Sequence, residues 1–434
     1  MHDGSMKPRS DLHPYLRLYS LLWWVILPFA LLRLWWRGFK EPGYREHVAE
    51  RLGSYSVKPA SRLIWVHAVS VGETRAAEPL IKALLQNYPQ HQLLLTHMTA
   101  TGHSTGKSLF AHEPRVMQAF LPYDTLSMTQ RFIAHFQPEL GLLIETEVWP
   151  CLLASAHAAQ VPVVLINARL SERSLRRALK FSTLLRTAAS QLAFIGAQTN
   201  EDAKRLQSMG AHNISVTGNL KFDVSVPSAM LDAGRTLRAH LGSRKILLCA
   251  STREGEEALL LSGYMSATLP PEFLLLIVPR HPQRFDEVAK LFEDQGLRVM
   301  RRSQLAHEVL SAHVRVVVGD SMGEMFAYYA ACDLAFIGGS LLPLGGQNLI
   351  EACACGKPVL IGPHTFNFAQ ASDDAVSRGA ALRVDNAAQL FKTSFELLTD
   401  ARLLSTMSES AQDFANAEVG ATQKTLELLI PLLS

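Results

Sequence analysis

Residues 66–73 read Val-His-Ala-Val-Ser-Val-Gly-Glu and join two segments whose apolar residues follow different spacings. Before them, Leu63–His67 is the short, continuous apolar run of a buried strand, and after them Ala76–Tyr88 has the spacing of an amphipathic helix. Gly72 permits a tight turn between the two. This unit predicts an α/β fold in which parallel strands alternate with helices.

The alternation continues toward the C-terminus. Further strands of the first half are predicted at Gln92–Thr96, Met117–Leu121, Leu140–Glu145, Pro162–Asn167, Phe194–Gln198 and Ile214–Thr217, with a second long helix at Ser174–Ala189. After the less regular residues 223–244, a second series is predicted at Lys245–Ala250, Phe273–Val278, Arg298–Met300, Val314–Val318, Leu334–Ile337, Pro358–Ile361 and Ala381–Val384. Each series is typical of one doubly wound, Rossmann-like domain.

Two such domains predict a deep interdomain cleft at the carboxyl ends of both sheets, where motifs that follow strands acquire functional weight. We predict an N-terminal domain over residues 41–225 and a C-terminal domain over residues 226–434, with the hinge near residues 222–244. The last helical segment, Thr422–Leu433, is expected to cross back to the first domain.

The first 60 residues combine an apolar run with a net charge of +4, which leaves −1 for the rest of the chain. Leu18–Leu32 is uncharged, and at ~1.5 Å per residue it is about 22 Å long, short of the ~30 Å hydrocarbon core of a bilayer. Trp35 and Trp36, among basic residues, suit the head-group layer. We therefore predict that residues 1–40 form a membrane anchor, either a short spanning helix or an interfacial one, with the body on the cytoplasmic side. The alternative is a buried helix of the soluble fold.

Composition excludes several classes of protein. Hydrophobic residues make up 48% of the chain and charged residues 19%, which argues against disorder, and the net charge of +3 is too small to indicate a nucleic-acid binder. The five cysteines lack a CxxC pair, which favours reduced thiols. The sixteen histidines lack ligand spacing, and we see no Asp-x-Asp pair for Mg²⁺. We therefore expect neither a metal nor a cofactor.

Carboxylates follow two predicted strands of the first half. Glu73 is a candidate general base at a helix start, although an acidic residue there can simply favour the helix N-terminus. Glu145 and Glu147 alternate at the end of another strand, where they would share one face and need a cation or hydrogen-bond partner to ionise together. Lys221 is the candidate partner. A surface acidic pair is the alternative.

A glycine-rich loop in the second half predicts an anion site. Residues 337–352 contain Gly345, Gly346 and Asn348 just before a predicted helix, whose backbone N–H groups could bind a phosphate oxygen. Arg280, after another strand, could neutralise that phosphate, and Glu351 could accept hydrogen bonds from a ribose diol. A structural turn without a ligand is the alternative.

Ten motifs in order along the chain resemble those of the 3-deoxy-D-manno-octulosonic acid (Kdo) transferases, which are GT-B glycosyltransferases of lipopolysaccharide assembly. They are Trp35-Trp36-Arg37-Gly38, Gly43-Tyr-Arg-Glu-His47, Glu50-Arg-Leu-Gly53, Trp65-Val-His67, Ser70-Val-Gly-Glu73, Glu145-Thr-Glu-Val-Trp-Pro150, Gly218-Asn-Leu-Lys221, Val278-Pro-Arg-His281, Met322-Gly-Glu324 and Gly345-Gly-Gln-Asn-Leu-Ile-Glu351.

The resemblance implies roles for individual residues. It makes Glu73 the base that deprotonates the acceptor hydroxyl, with Glu145 and Lys221 assisting at the transition state. It implies a CMP site made by Pro279, Arg280, Met322, Gly323, Glu324, Asn348, Leu349, Ile350 and Glu351. The implied donor is CMP-Kdo, and the implied acceptor is a lipid A precursor (lipid IVA) held in the inner membrane.

Two other hypotheses remain at this point. The chain could be another GT-B sugar-nucleotide enzyme, such as a UDP-sugar transferase or an epimerase. It could also be a membrane protein that binds a sugar nucleotide without catalysis, although the presence of Glu73 argues against that hypothesis.

Overall fold

A computed structural model describes residues 14–39, 41–179, 182–224, 226–305, 309–417 and 419–433. The chain divides into two compact units. The first unit contains Met1–Asp223 and Gly420–Ser434, and the second contains Val224–Val419. Residues 1–13 and 40 of the predicted anchor, and residue 225 at the predicted domain boundary, lie outside the described residues.

The first unit is built on a seven-stranded parallel sheet with the order β3-β2-β1-β4-β5-β6-β7. Its strands are β1 Arg62–His67, β2 His91–His97, β3 Val116–Phe120, β4 Leu140–Ile144, β5 Val163–Ala168, β6 Phe194–Ala197 and β7 Ile214–Val216. Its helices are α1 Pro14–Arg37, α2 Val48–Arg51, α3 Val71–Asn87, α4 Ala100–Leu109, α5 Leu126–Phe136, α6 Pro150–Ala158, α7 Glu172–Ala178, α8 Ser182–Ser190 and α9 Asn200–Ser208.

The second unit has a seven-stranded parallel sheet of its own, with the order β10-β11-β9-β8-β12-β13-β14. Its strands are β8 Lys245–Thr252, β9 Phe273–Pro279, β10 Val299–Arg301, β11 Val316–Val318, β12 Leu334–Ile337, β13 Val359–Ile361 and β14 Ala381–Arg383. Its helices are α10 Ser228–Leu241, α11 Glu256–Ser266, α12 Phe285–Glu293, α13 Met325–Ala331, α14 Ile350–Ala354, α15 Ala369–Ser377, α16 Ala387–Thr399 and α17 Ala401–Ala417. α18, Ala421–Leu429, belongs to the first unit.

The α/β prediction with two parallel sheets is confirmed, and the differences are local. The single helix predicted over Ser174–Ala189 corresponds to two helices, α7 and α8, and residues 180 and 181 lie outside the described part. The less regular segment 223–244 contains the 14-residue helix α10. α3 begins at Val71, so Gly72 lies in its first turn rather than in a tight turn before it.

Both faces of each sheet are covered, which explains why the strands are continuous apolar runs. In the first unit, Trp65 is completely buried, and its indole Nε1 donates to Thr96 Oγ1 over 2.7 Å. A Cβ atom at Gly141 of the neighbouring strand would come within 2.6 Å of the Trp65 ring. The absence of a side chain at Gly141 therefore makes room for the Trp65 indole.

The last helix completes the core of the first unit. Leu426, Leu429 and Leu433 pack in the same apolar cluster as Ile64 and Val66 of β1. The start of this helix is held by Asp223, whose carboxylate accepts from Gly420 N over 2.6 Å and also from Thr422 N. An aspartate at a helix N-terminus satisfies amides that lack an intrahelical partner.

Candidate active site

The order of the first sheet reverses between β1 and β4, because β2 and β3 lie on one side of β1 and β4 to β7 on the other. In a doubly wound sheet this reversal opens a crevice at the carboxyl ends of the two strands. The residues that follow β1 are Ala68–Glu73, and those that follow β4 begin with Glu145. The predicted catalytic carboxylates of the first unit therefore both border its topological switch point.

Glu73 lies in the first turn of α3 and folds back on the loop before it. Its Oε2 accepts from Val69 N over 2.6 Å, and its Oε1 accepts from the Ser70 hydroxyl over 3.1 Å. Ser70 is the N-cap and accepts in turn from Glu73 N. This reciprocal arrangement is a variant of the capping box. The Glu73 side chain therefore stabilises the start of α3, as the alternative interpretation of this residue predicted.

Glu73 nevertheless has an unusual acidity for a capping residue. Burial raises its pKa to about 7, and the negative charges of Glu145 and Glu147 raise it further, against the hydrogen bonds from Val69 and Ser70 that lower it. A carboxyl group with a pKa near 7 is half ionised at neutral pH. Such a group can both accept and release a proton under physiological conditions.

Glu145 and Lys221 form an ion pair. Lys221 Nζ donates to Glu145 Oε1 over 2.8 Å, and the two side chains are 19% and 16% exposed respectively. Lys221 is held in a short 3₁₀ turn, where Asn219 Oδ1 accepts from its backbone N–H. The predicted partnership between Glu145 and Lys221 is therefore observed.

The predicted common face for Glu145 and Glu147 is wrong. β4 ends at Ile144, and Glu145 has a φ of 66°, in the left-handed region that a non-glycine residue seldom occupies. The chain turns there, and Glu147 is held separately by Trp149, whose Nε1 donates to its Oε2 over 2.7 Å. Burial and the charge of Glu145 raise the pKa of Glu147. Only Glu145 of the two has a cationic partner within hydrogen-bond distance among the described residues.

His67, the last residue of β1, was assigned no role from the sequence. Its ring is completely buried, its Nδ1 lies 2.9 Å from Thr96 Oγ1, and burial lowers its pKa to about 3. The imidazole is therefore neutral at physiological pH. It lies beside the ring of Trp149, the residue that donates to Glu147, with 6.3 Å between the ring centroids.

In the second unit the strand order reverses between β8 and β12. The loop after β12 contains the predicted glycine-rich motif, and Gly345 and Gly346 have φ values of 93° and 74°. Two backbone amides of this loop have partners within the loop itself. Gly346 N donates to Gly339 O over 2.8 Å, and Gln347 N donates to Gly338 O over 3.1 Å. These amides are used to close the loop on itself.

Glu256, which the sequence interpretation missed, organises the start of this loop. Its carboxylate is completely buried and accepts from Gly339 N over 2.7 Å and from Ser340 N and Leu341 N over 3.1 Å each. Three successive backbone N–H groups that converge on an anion form the kind of nest that elsewhere binds phosphate. Here an internal carboxylate fills it. The adjacent pair Glu256-Glu257 at a helix start was a visible signal, but its partners lie more than 80 residues away in sequence.

Basic side chains follow β8 and β9 of the second unit. Arg280 N donates to Thr252 O over 2.9 Å, which fixes Arg280 beside the end of β8. Burial and the positive charges of Arg253, Arg280 and Arg284 lower the pKa of His281. Arg284 is paired with the buried Glu257, to which its Nη1 donates over 2.8 Å. Positive charge therefore accumulates at the adjacent carboxyl ends of β8 and β9.

The other predicted nucleotide-binding residues follow neighbouring strands of the same sheet. Pro279 ends β9, and Met322, Gly323 and Glu324 lie between β11 and α13. Met322 is 63% exposed. Arg302 Nε lies 3.7 Å from Glu324 Oε2.

Asn348, Leu349, Ile350 and Glu351 lie at the start of α14. Asn348 Nδ2 donates to Glu351 Oε1 over 3.1 Å, and Asn348 Oδ1 accepts from Ile350 N. Leu349 and Ile350 are buried. The polar members of both groups therefore lie at the carboxyl edge of the sheet, and the buried pair anchors the helix that carries Glu351.

The sequence matches known families over most of its length. Residues 46–224 match the family described as 3-deoxy-D-manno-octulosonic-acid transferase (kdotransferase), and residues 268–414 match the glycosyl transferases group 1. The structure is similar to the UDP-GlcNAc 2-epimerase of Neisseria meningitidis, with a TM-score of 0.56 over 86% of this chain and all of that one. At 16% identity this likeness shows the two-domain GT-B fold alone.

Two curated relatives are similar from end to end. The 3-deoxy-D-manno-octulosonic acid transferase of Haemophilus influenzae is 36% identical, over 96% of this chain and 98% of that protein. The 3-deoxy-D-manno-octulosonic acid transferase of Bordetella pertussis is 45% identical over 425 residues, which cover 95% of this chain and 98% of that protein. Similarity of this extent shows that the chain belongs to the 3-deoxy-D-manno-octulosonic acid (Kdo) transferase family of glycosyltransferases.

Proposed function

We propose that this protein transfers Kdo from CMP-Kdo to the lipid A precursor lipid IVA in lipopolysaccharide core biosynthesis, with Glu73 as the general base. The observation that carries the proposal is the environment of Glu73. It is a carboxylate at a topological switch point, held in one orientation by two hydrogen bonds, with a pKa raised to about 7. This combination suits a group that must take a proton from a sugar hydroxyl at neutral pH.

The reaction is a single displacement at the anomeric carbon of the donor sugar. The acceptor oxygen forms a bond to that carbon while the bond from the carbon to the CMP phosphate oxygen breaks. The proton of the acceptor hydroxyl moves to Glu73, and the electron pair leaves with CMP. Lys221, held by Glu145, lies near enough to this carboxylate cluster to stabilise negative charge on the reacting sugars.

The second unit supplies the donor site in this proposal. CMP-Kdo carries two anionic groups, the phosphodiester and the sugar carboxylate, and Arg280 and Arg253 lie at adjacent strand ends where positive charge accumulates. Pro279, Met322–Glu324 and Asn348–Glu351 complete the CMP site, with Glu351 accepting from the ribose. A nucleoside monophosphate leaving group has a single phosphate, which arginine side chains can stabilise without a metal ion.

A lipid acceptor explains an apolar N-terminal segment. α1 has 24 residues and is long and apolar enough to cross a membrane. We propose that it attaches the enzyme to the cytoplasmic face of the inner membrane. The acyl chains of the acceptor then stay in the bilayer while its sugar hydroxyl reaches Glu73.

The test is Kdo transfer by purified protein with CMP-Kdo and lipid IVA in detergent, following CMP release and the mass of the lipid. Glu73→Gln is the informative variant, because its amide oxygen still accepts from Val69 N and preserves the helix start while it removes the base. Glu78→Gln, on the same helix and paired with Lys82, is the matched control. We expect Glu73→Gln to lose most turnover while CMP still raises its melting temperature.

Two outcomes would contradict the proposal. Full activity of Glu73→Gln would remove Glu73 as the base and leave the donor and acceptor assignments intact. Protection against heat by UDP but not by CMP, together with no lipid product from the wild type, would overturn the donor assignment and favour another GT-B sugar-nucleotide enzyme.

A further inference from the structure

One face of α1 packs against the first unit along most of the helix. Leu16 is buried against Cys151 and Ala154 of α6, and Leu27 is buried against Tyr123 and Met128. Other members of the packed face are Trp23, Ala30, Leu31 and Leu34. From position 16 to position 34 this face is about 27 Å long at ~1.5 Å per residue.

Polar contacts fix the N-terminal half of α1 on the body. Ser20 Oγ accepts from Leu126 N over 3.1 Å. Tyr19 hydrogen-bonds to Asp124, a carboxylate that is 1% exposed and also accepts from Leu152 N over 2.8 Å. Buried polar contacts of this kind are specific in direction, so they set both the position and the rotation of the helix.

The C-terminal end of α1 is fixed as well. Arg45 Nε donates to Trp35 O over 3.2 Å, and its guanidinium lies 3.9 Å from the centroid of the Phe39 ring. The guanidinium of Arg37 lies 4.3 Å from the centroid of the Tyr44 ring. Both ends of the helix are therefore attached to the same folded unit.

The opposite face of α1 is apolar and exposed. Phe29 is 71% exposed and Trp36 is 75% exposed. The same face includes Leu18, Leu21, Leu22, Trp24, Val25, Ile26, Leu32 and Trp35, all exposed. A continuous apolar surface of this length marks an interaction site. Arg17, Arg33 and Arg37 are also exposed, and together with the tryptophans they match the anionic head-group layer of a bilayer.

A membrane-spanning orientation conflicts with what lies beside the middle of α1. Leu52 packs in the same cluster as Leu27, and Arg131 Nη2 donates to Leu52 O over 2.8 Å. Arg131 is exposed. If α1 crossed the bilayer, this guanidinium and the exposed polar surface of α5 would be carried to the depth of the hydrocarbon core, at a cost of several kcal/mol.

We propose that α1 lies flat in the membrane interface, between the first unit on one side and lipid on the other, and does not cross the bilayer. This inference rests on the proposed membrane association. It explains why α1 has apolar residues on two opposite faces: one face covers the folded unit and the other enters the acyl boundary. It also accounts for the shortness of the uncharged run Leu18–Leu32, since an in-plane helix has no bilayer thickness to match.

The test is the sidedness of single cysteines in cells that express the full chain. Arg17→Cys and Arg37→Cys place thiols in the head-group layer near the two ends of α1, and Asp232→Cys, on an exposed position of α10, reports the side of the catalytic body. Each is treated with a membrane-impermeant maleimide in spheroplasts and in inverted inner-membrane vesicles. We expect all three to react in inverted vesicles and to be protected in spheroplasts. Reaction of Arg17→Cys in spheroplasts, with Arg37→Cys protected there, would show a spanning helix and overturn the inference.

A second pair of variants separates this inference from the proposed function. Phe29→Glu places a charge on the exposed face, and we expect it to release the protein from phosphatidylethanolamine and phosphatidylglycerol vesicles without lowering its melting temperature. Leu27→Glu, on the packed face, should instead lower the melting temperature. If the wild type fails to bind vesicles, the membrane association and this inference both fall. Retained protection by CMP in that case would leave the transferase assignment standing.

Discussion

The Nζ atom of Lys221 lies 2.8 Å from Oε1 of Glu145, and neither side chain is more than one-fifth exposed. Lys221 thus balances the charge of one of the two carboxylates, Glu145 and Glu147, that raise the pKa of Glu73. The pair therefore influences the pKa of the proposed base, Glu73. Removing the lysine, or both members of the pair, should shift this pKa in a direction that can be predicted.

Lys221→Met should shift the acidic limb of the pH profile of kcat/KM to higher pH. Without the lysine, the charge of Glu145 is no longer offset and repels the ionised form of Glu73 more strongly. The double variant Lys221→Met/Glu145→Gln removes both charges and should return the limb toward or below the wild-type position. A limb that stays in place in both variants would show that this pair does not control the base.

Glu73→Gln should make the protein more stable than the wild type above pH 7. The pKa of Glu73 is raised from an ordinary value of 4.5 to about 7, so the folded state binds more protons than the unfolded state between these values. Stability from this group is therefore greatest below pH 4.5 and is lost as the pH rises to 7, by about 1–3 kcal/mol. Melting temperatures of both proteins from pH 4 to pH 8 test this, and parallel curves would contradict it.

Glu256→Gln should destabilise the second unit and weaken protection by CMP. The carboxylate accepts from three loop amides, and an amide group in its place directs N–H donors at some of them. We expect a loss of about 2–4 kcal/mol in the free energy of unfolding. Glu254→Gln, an exposed neighbour, is the control. Equal stability of the two variants in urea would show that the loop does not depend on this carboxylate.

Asp223→Ala should loosen the C-terminal helix. The aspartate accepts from the backbone at the start of this helix, and loss of such a cap costs about 1–2 kcal/mol. Hydrogen exchange of amides in Ala421–Leu429 should accelerate, while exchange in the core strands of the second unit stays unchanged. Asp232→Ala, an exposed aspartate paired with Arg235, serves as the control. Unchanged protection of the helix would rule out the cap.

The strands were predictable because strands buried on both faces must be continuous apolar runs, as Phe273–Pro279 is. The ion pair between Lys221 and Glu145 was also predictable, since each follows a strand of the same sheet. Backbone conformation was less accessible. Because Glu145 has a left-handed backbone conformation, β4 ends one position before the predicted end of the strand. The type of its side chain does not indicate this conformation.

The role of Glu256 could not be predicted from the sequence, for a different reason. Its partners are backbone N–H groups, which every residue except proline possesses, so the types of the partner residues do not indicate the contact. The same holds for Gly346, whose amide closes a loop that the glycine content predicted without predicting where its N–H groups point. Side-chain chemistry can be inferred from residue types, whereas hydrogen bonding of the main chain depends on the fold.

The return of the chain to the first unit at Gly420 sets an order of events during synthesis. The apolar cluster that contains Leu426, Leu429 and Leu433 also contains strands made before residue 200. At ~5–20 residues per second, a ribosome reaches these leucines roughly 10–40 s after it has passed Asp223. The second unit is complete by then, while the first still lacks its last helix. The earlier-made unit is thus the later one to finish folding, and the apolar surface of β1 and α3 that this segment covers stays exposed on the nascent chain until then.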